Sequence, residues 1–280
     1  MFGWLFGSKS DDELSENHIK RQEFFHNPSR VLNKFTEITG IHFNQKEAVT
    51  TNKIISFCRN NDLYSFDELY DAMMADRSMM SEVINLLTVN ETYFFRESRQ
   101  IYFLADEIAS NKRSYRVLCA PGSTGEEPYT IAIALLEKNI PAHLIEIVSL
   151  DINSDVKLAA ERGCYNERSL HKMSLPLRDK YFTSKNGEFC VNSDVKKMVK
   201  FQTMNIFDEL LFTLGKFDVI FSRNMLIYFE EPVVEKAIKR LARMAKDRDT
   251  MFFFGHADFV KSPPKLTEHY KNGVKYYTIS

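Results

Sequence analysis

Up to about residue 90, the apolar positions recur at helical spacing and never alternate. PSRVLNKFTEITG places Pro28 at the start and Gly40 at the stop of one such pattern. In NQKEAVTTNKIISFCRNND, the residues Val49, Ile54, Ile55 and Cys58 fall near helical spacing. Ser65 is placed to cap SFDELYDAMMA, with Glu68 three residues on to complete a capping box. RSMMSEVINLLTVN sets Met79, Val83 and Leu86 or Leu87 on one face. Residues 25–90 are therefore predicted as a small all-helical domain behind a tail over 1–24. The tail opens MFGWLFGSKS, without the basic start and full apolar core of a secretory signal. It reads as a loose segment packing on its own domain, with a short anchor or partner peptide as the other reading.

From about residue 113, short apolar runs alternate with helical segments. The runs are YRVLCA, HLIEIVSLD, KFQTMN, KFDVIFSRN and TMFFFGH; the helices between them include Pro128–Lys138 and Pro232–Lys246. The second helix carries Val234, Ala237, Ile238, Leu241 and Met244 on one face. This pattern predicts an α/β domain over 91–280, with a parallel sheet covered on both sides. Within 181–201, KNGEF lies between β-prone pieces and predicts a small hairpin insertion.

A length of 280 residues, 44% hydrophobic and 27% charged, excludes wholesale disorder. The net charge of -1 gives no push toward nucleic acid. No apolar stretch is long enough to insert in a membrane. The histidines lack metal-site spacing, so no metal is expected. Cys58, Cys119, Cys164 and Cys190 form no C-x-x-C, and a reduced compartment is the simplest reading.

Sites in such folds gather at the carboxyl ends of the strands. Those ends read CAPGSTGEEPY, Asp151, Asn205 and SRNMLIYF. The first is a glycine turn feeding a helix, yet it has no phosphate-binding lysine, and Glu126 and Glu127 would repel phosphate. One reading is a bare capping box, Ser123 with Glu126. The other is a ligand with a cationic head and a neutral sugar, which S-adenosylmethionine fits. Gly122 and Gly125 would let the backbone approach it, and Asp151 would accept from ribose hydroxyls. NAD stays open on the same logic, although G-x-G-x-x-G is absent.

NETYFFRE at 90–97, STGEEPY at 123–129, LDIN at 150–153 and FSRNMLIYF at 221–229 resemble, in order and spacing, the motifs of the chemotaxis receptor methyltransferases, the CheR family. The resemblance runs from about residue 25 to the end. It implies a Rossmann-like methyltransferase domain behind the helical one. The implied reaction moves a methyl from S-adenosylmethionine to glutamate side chains on cytoplasmic chemoreceptor helices, leaving S-adenosylhomocysteine, in the cytoplasm. It assigns Asn90, Thr92, Arg96, Glu126, Asp151, Asn205, Ile206, Arg223 and Asn224 to the cofactor, and Arg96 and Tyr228 to catalysis. A non-catalytic cofactor-binding signalling module is the alternative. Two departures stand out: Gly122 replaces a Cys or Ala, and FFFGHAD replaces a more usual GHSE. His256 is read as a strand-end packing residue, and Tyr93, Phe94 and Phe95 as packing aromatics.

An ionised glutamate needs no general base, so catalysis would reduce to aligning an oxygen with the methyl–sulfur bond and excluding water. Arg96 would orient the substrate carboxylate or pair with that of the cofactor. Arg30, Lys34, Lys46, Lys53 and Arg59 are the bases available to an acidic receptor helix; a solvated face explains them equally. The 181–201 region is where some family members grip a receptor tail peptide.

Overall fold

Helix α1 (Ser29–Thr39) stops because Gly40 turns left-handed, φ 75°, and returns its N–H to the Thr36 carbonyl. Three more helices follow, α2 (Glu47–Asn60), α3 (Phe66–Ala75) and α4 (Arg77–Leu87). The computed structural model describes residues 23–43, 47–111, 113–258 and 263–280. The tail over 1–24, apart from its last two residues, lies outside the described residues, as does Lys46. At α3, Ser65 Oγ accepts from Glu68 N at 3.1 Å, while the Glu68 carboxylate reaches back to Tyr64 N at 2.9 Å, one residue beyond the cap amide of the expected box. Val31, Phe35, Ile54, Cys58, Leu69 and Val83 pack between the helices. Val49 is exposed rather than shared with the Ile54 face. Five residues turn a helix well past a full circle, which sets Val49 on another side.

The larger part continues with α5 (Arg99–Ala109), β1 (Tyr115–Cys119), α6 (Glu126–Glu137), β2 (Ile145–Asp151) and α7 (Ser154–Arg162). Next come β3 (Cys164–Tyr165), α8 (Leu175–Tyr181), β4 (Phe182–Lys185), β5 (Glu188–Val191) and α9 (Ser193–Lys196). The chain ends with β6 (Val199–Thr203), β7 (Val219–Ser222), α10 (Glu231–Ala242), β8 (Met251–Phe254), β9 (Leu266–Lys271) and β10 (Val274–Ile279). Among the described residues the large sheet has the order β6-β2-β1-β7-β8-β10-β9. Its first five strands are parallel and are the five predicted apolar runs. They read as nearly unbroken apolar runs because both faces are covered; Val117, Leu118, Val219 and Ile220 are fully buried. Helix α10 buries Ala237, Ile238 and Leu241 as expected, but ends four residues before Lys246. The antiparallel hairpin β9–β10 was not anticipated. Its turn, Asn272–Gly273 with φ 53° and 77°, has the same Asn-Gly signal as the expected one at Asn186–Gly187.

The predicted hairpin is β4–β5, and β3 joins it to make an antiparallel sheet, β3-β5-β4. The last residues of the 181–201 stretch belong instead to β6, in the large sheet. Cys164 stands directly opposite Cys190 in the β3–β5 pair, and the two form a disulfide. This corrects the expectation of reduced cysteines for that pair; Cys58 and Cys119 are free and buried. A separation of 26 residues carries no pairing signal until the strands meet.

Candidate active site

The loop after β1 is pressed onto β2. Gly122 N donates to the Leu150 carbonyl at 2.7 Å, and a Cβ on Gly122 would lie 1.8 Å from Ser149 Oγ, so a side chain there would clash. Gly125, at φ 97°, caps α6, which replaces the expected Ser123 cap. Asp151, buried at the end of β2, ties the edge together. Its Oδ2 accepts from Ser123 N at 2.9 Å and its Oδ1 from Asn153 N at 3.0 Å. Asn153 in turn donates to Thr88 Oγ1 at 2.7 Å, which joins α4 to this edge.

A cavity of ≈ 380 Å³ opens here, between the strand ends and the helical part. Asn90, Thr92, Arg96, Asp151, Asn205, Ile206, Arg223, Asn224 and Tyr228 all line it. Glu126 does not, and its expected place against the ligand is corrected. It is the first residue of α6, buried, with its carboxylate accepting from Thr124 Oγ1 at 2.6 Å. Glu127 lines the cavity instead, because successive helical side chains point about 100° apart. The signal was present in the sequence, since both glutamates stand in STGEEPY, but only the orientation of α6 chooses between them.

Glu127 Oε2 lies 2.8 Å from Arg223 Nε, and Glu127 Oε1 is buried without a hydrogen-bond partner. Burial pushes the Glu127 carboxyl above the usual range, against the pull of Arg223. Burial likewise raises Asp151, with the amides of Asn153 and Ser123 opposing it. Arg223 is buried and committed elsewhere, donating to the Arg96 carbonyl at 2.6 Å. Arg96 Nη1 donates to the Glu91 carbonyl at 2.8 Å. Asn205 is anchored at both ends of its amide, donating one N–H to the Ile38 carbonyl at 2.7 Å and accepting from Phe207 N at 2.9 Å. The Tyr228 phenol is raised by burial, and its backbone carbonyl accepts from His42 N at 2.9 Å.

Phe94 and Phe95 are buried, as packing residues should be, whereas Tyr93 lines the cavity and packs on the His171 ring. His256 is exposed, not packed. Its N–H donates to Glu97 Oε2 at 3.1 Å.

These residues fit S-adenosylmethionine. The partnerless Glu127 oxygen can accept from an ammonium, and each Asp151 oxygen keeps lone pairs for a hydroxyl. Ile152, Met204 and Ile206 offer apolar wall to a purine. Among the described residues no cluster of three or more His, Cys, Asp or Glu could hold a metal ion, and no helix is long and apolar enough to cross a membrane.

The family model described as CheR methyltransferase, SAM binding domain, matches residues 90–275. The chemotaxis protein methyltransferase of Campylobacter jejuni subsp. jejuni is 31% identical over 258 residues, 89% of this chain and 92% of that protein. Chemotaxis protein methyltransferase 2 of Pseudomonas aeruginosa is 30% identical over 255 residues, 87% of this chain and 88% of that one. The probable chemotaxis protein methyltransferase of Rhizobium etli is 31% identical over 242 residues, covering 81% and 90%.

Proposed function

The chain belongs to the CheR methyltransferase family, a set of S-adenosylmethionine-dependent enzymes of chemotaxis, and on that premise we propose that it esterifies glutamate side chains on the cytoplasmic helices of chemoreceptors. The observation that carries the reading is that Glu127, Asp151, Arg96 and Tyr228 line one cavity. The bound cofactor supplies a methyl group on a cationic sulfonium. Asp151 accepts from the ribose hydroxyls, and Glu127 from the ammonium. Asn90, Thr92 and Asn224 line the same cavity and complete the cofactor's surroundings. Ile206 and Asn205 would flank the adenine, Asn205 with its amide anchored by a bond at each end. Arg223 serves the cofactor indirectly, by holding Glu127 and the Arg96 carbonyl in place.

The acceptor glutamate arrives ionised, so no residue has to remove a proton. Arg96 orients its carboxylate by charge-assisted hydrogen bonds, and Tyr228 closes the reacting side against water. The product is S-adenosylhomocysteine with a glutamyl methyl ester, and each transfer removes one negative charge from the receptor helix. The place of action that follows is the cytoplasm. Docking of an acidic helix draws little on Arg30, Lys34 and Arg59, which already pair with Asp67, Glu37 and Glu23. The test is incubation with methyl-labelled cofactor and receptor-containing membranes. Alkali should release the label as methanol; alkali-stable label overturns carboxyl methylation.

A further inference from the structure

Two loops carry the groups assigned to the reaction, one with Arg96 and one with Tyr228, and both are held in unfavourable backbone. Phe95 and Glu97 flank Arg96 at φ 61° and 49°, and Asn224 opens the other loop at φ 58°. Non-glycine residues stay in that region only where their surroundings over-determine them. The surroundings here converge on the turn that follows β8, Gly255–Asp258, which does not itself line the cavity.

Asp258 is buried. Its Oδ2 accepts from Asn224 N and, at 2.9 Å, from Gly255 N; its Oδ1 accepts from Ile227 N at 3.2 Å. One carboxylate therefore gathers the start and the middle of the Tyr228 loop. Gly255 makes room for this: a Cβ there would stand 2.9 Å from Asn224 N, from Asn224 Nδ2 and from Asp258 Oδ2. In the same turn, His256 N donates to Glu97 Oε2 at 3.1 Å, and its Nδ1 lies 3.3 Å from that oxygen. The Arg96 loop is thereby fastened to the same four residues through the Glu97 side chain.

We propose that the Gly255–Asp258 turn is a positioning element, which sets Tyr228 through the Asp258 carboxylate and Arg96 through the His256 amide, without touching either substrate. The inference rests on the roles given above to Arg96 and Tyr228. Asp258 matters as an acceptor for several N–H groups at once. Asp258→Asn removes the charge and sets an amide donor against them. With saturating cofactor, the variant should lose about tenfold or more in kcat, with little change in the KM for receptor, as expected when geometry and not binding is lost.

Because Asp258 acts through the Tyr228 loop, adding Tyr228→Phe should cost little beyond the larger single loss; multiplying losses would overturn the proposal. If Asp258→Asn does not fold, Glu97→Gln paired with Arg96→Ala carries the same test on the other loop, and multiplying losses there overturn it equally. Amide hydrogen exchange over 223–229, in protein saturated with S-adenosylhomocysteine, reads positioning with no methyl acceptor present. Asp258→Asn should exchange faster there, and unchanged exchange overturns the proposal. An inactive parent together with faster exchange in the variant would sink the acceptor assignment and leave the positioning standing.

Discussion

At the amino-terminal edge of the large sheet, Asp218 is buried and fully answered. Arg113 Nη1 lies 2.5 Å from its Oδ1 and Lys246 Nζ 2.9 Å, and the Arg116 amide donates to Oδ2 at 2.9 Å. Burial alone would push this carboxyl up, but the bonds from Arg113, Arg116 and Lys246 outweigh it and hold it below the usual range. At the opposite edge, burial wins at Glu127 and Asp151, both of which are raised, and one Glu127 oxygen has no partner. The two edges share strands, and all three carboxylates are largely shielded from solvent. The difference is that the chain supplies cations to Asp218 and keeps acceptor capacity in reserve beside the cavity. A buried charge that the protein itself neutralises supports the fold; one it leaves partly unanswered is available to a ligand.

The largest effect that would break this contrast lies at Arg96. Arg96→Ala should lower turnover about a hundredfold or more, because an orienting contact is lost where geometry sets the rate. Its effect on calorimetric affinity for S-adenosylhomocysteine should be smaller, and full activity would remove Arg96 from the reaction. Next comes a matched pair of substitutions. Asp151→Ala should weaken cofactor affinity by roughly 1.5–3 kcal/mol, about ten- to a hundredfold. Asp218→Asn should instead lower stability in urea by about 1.5–3 kcal/mol and leave affinity alone. If both variants shift both quantities alike, the contrast between the two edges fails.

A smaller effect is expected from pH. Glu127 and Asp151 have raised pKa values in the folded protein. Between the ordinary carboxylate value and the raised one, the native state holds more protons than the unfolded chain, so their contribution to stability falls as pH rises through that window. Asp218 has the opposite sign: its contribution is present above the ordinary value and is lost as pH falls through the depressed one. A cationic ligand needs Glu127 ionised. Its affinity should therefore drop on acidification through the raised value, by up to about tenfold per pH unit for the one proton involved. A calorimetric series taken from neutral pH down to the ordinary carboxylate value checks this, and a flat profile would exclude Glu127 as the ammonium acceptor. The smallest effect is expected at the β4–β5 tip. Deleting Ser184–Glu188 should leave cofactor affinity unchanged, since none of these residues lines the cavity; a large loss in a folded variant would place the tip in the site.

Periodicity along the chain was enough to separate the helical part from the α/β part and to find the five parallel strands. Buried parallel strands must be apolar on both faces, and that constraint is written in consecutive residues such as Tyr115–Cys119 and Val219–Ser222. The rule that polar groups at the carboxyl ends of such strands share a crevice then brought Asp151, Asn205 and Arg223 together without coordinates. The β9–β10 hairpin went unread although Asn272–Gly273 signals its turn, because its apolar alternation is diluted by charged residues on an exposed face.

What the sequence by itself determined, then, was the order of elements and the strand-end residues that share the crevice, because short-range periodicity and strand ends are local properties; Asn90, Thr92 and Arg96 came from the family resemblance. Only the tertiary structure decided that Glu127 and not Glu126 faces the cavity, that Cys164 meets Cys190, and that Asp258 gathers the amides of the Tyr228 loop. Each of these depends on the rotation of a helix about its axis or on the register of segments distant in the chain. Neighbouring residues do not set those quantities; the packing of whole elements against one another does.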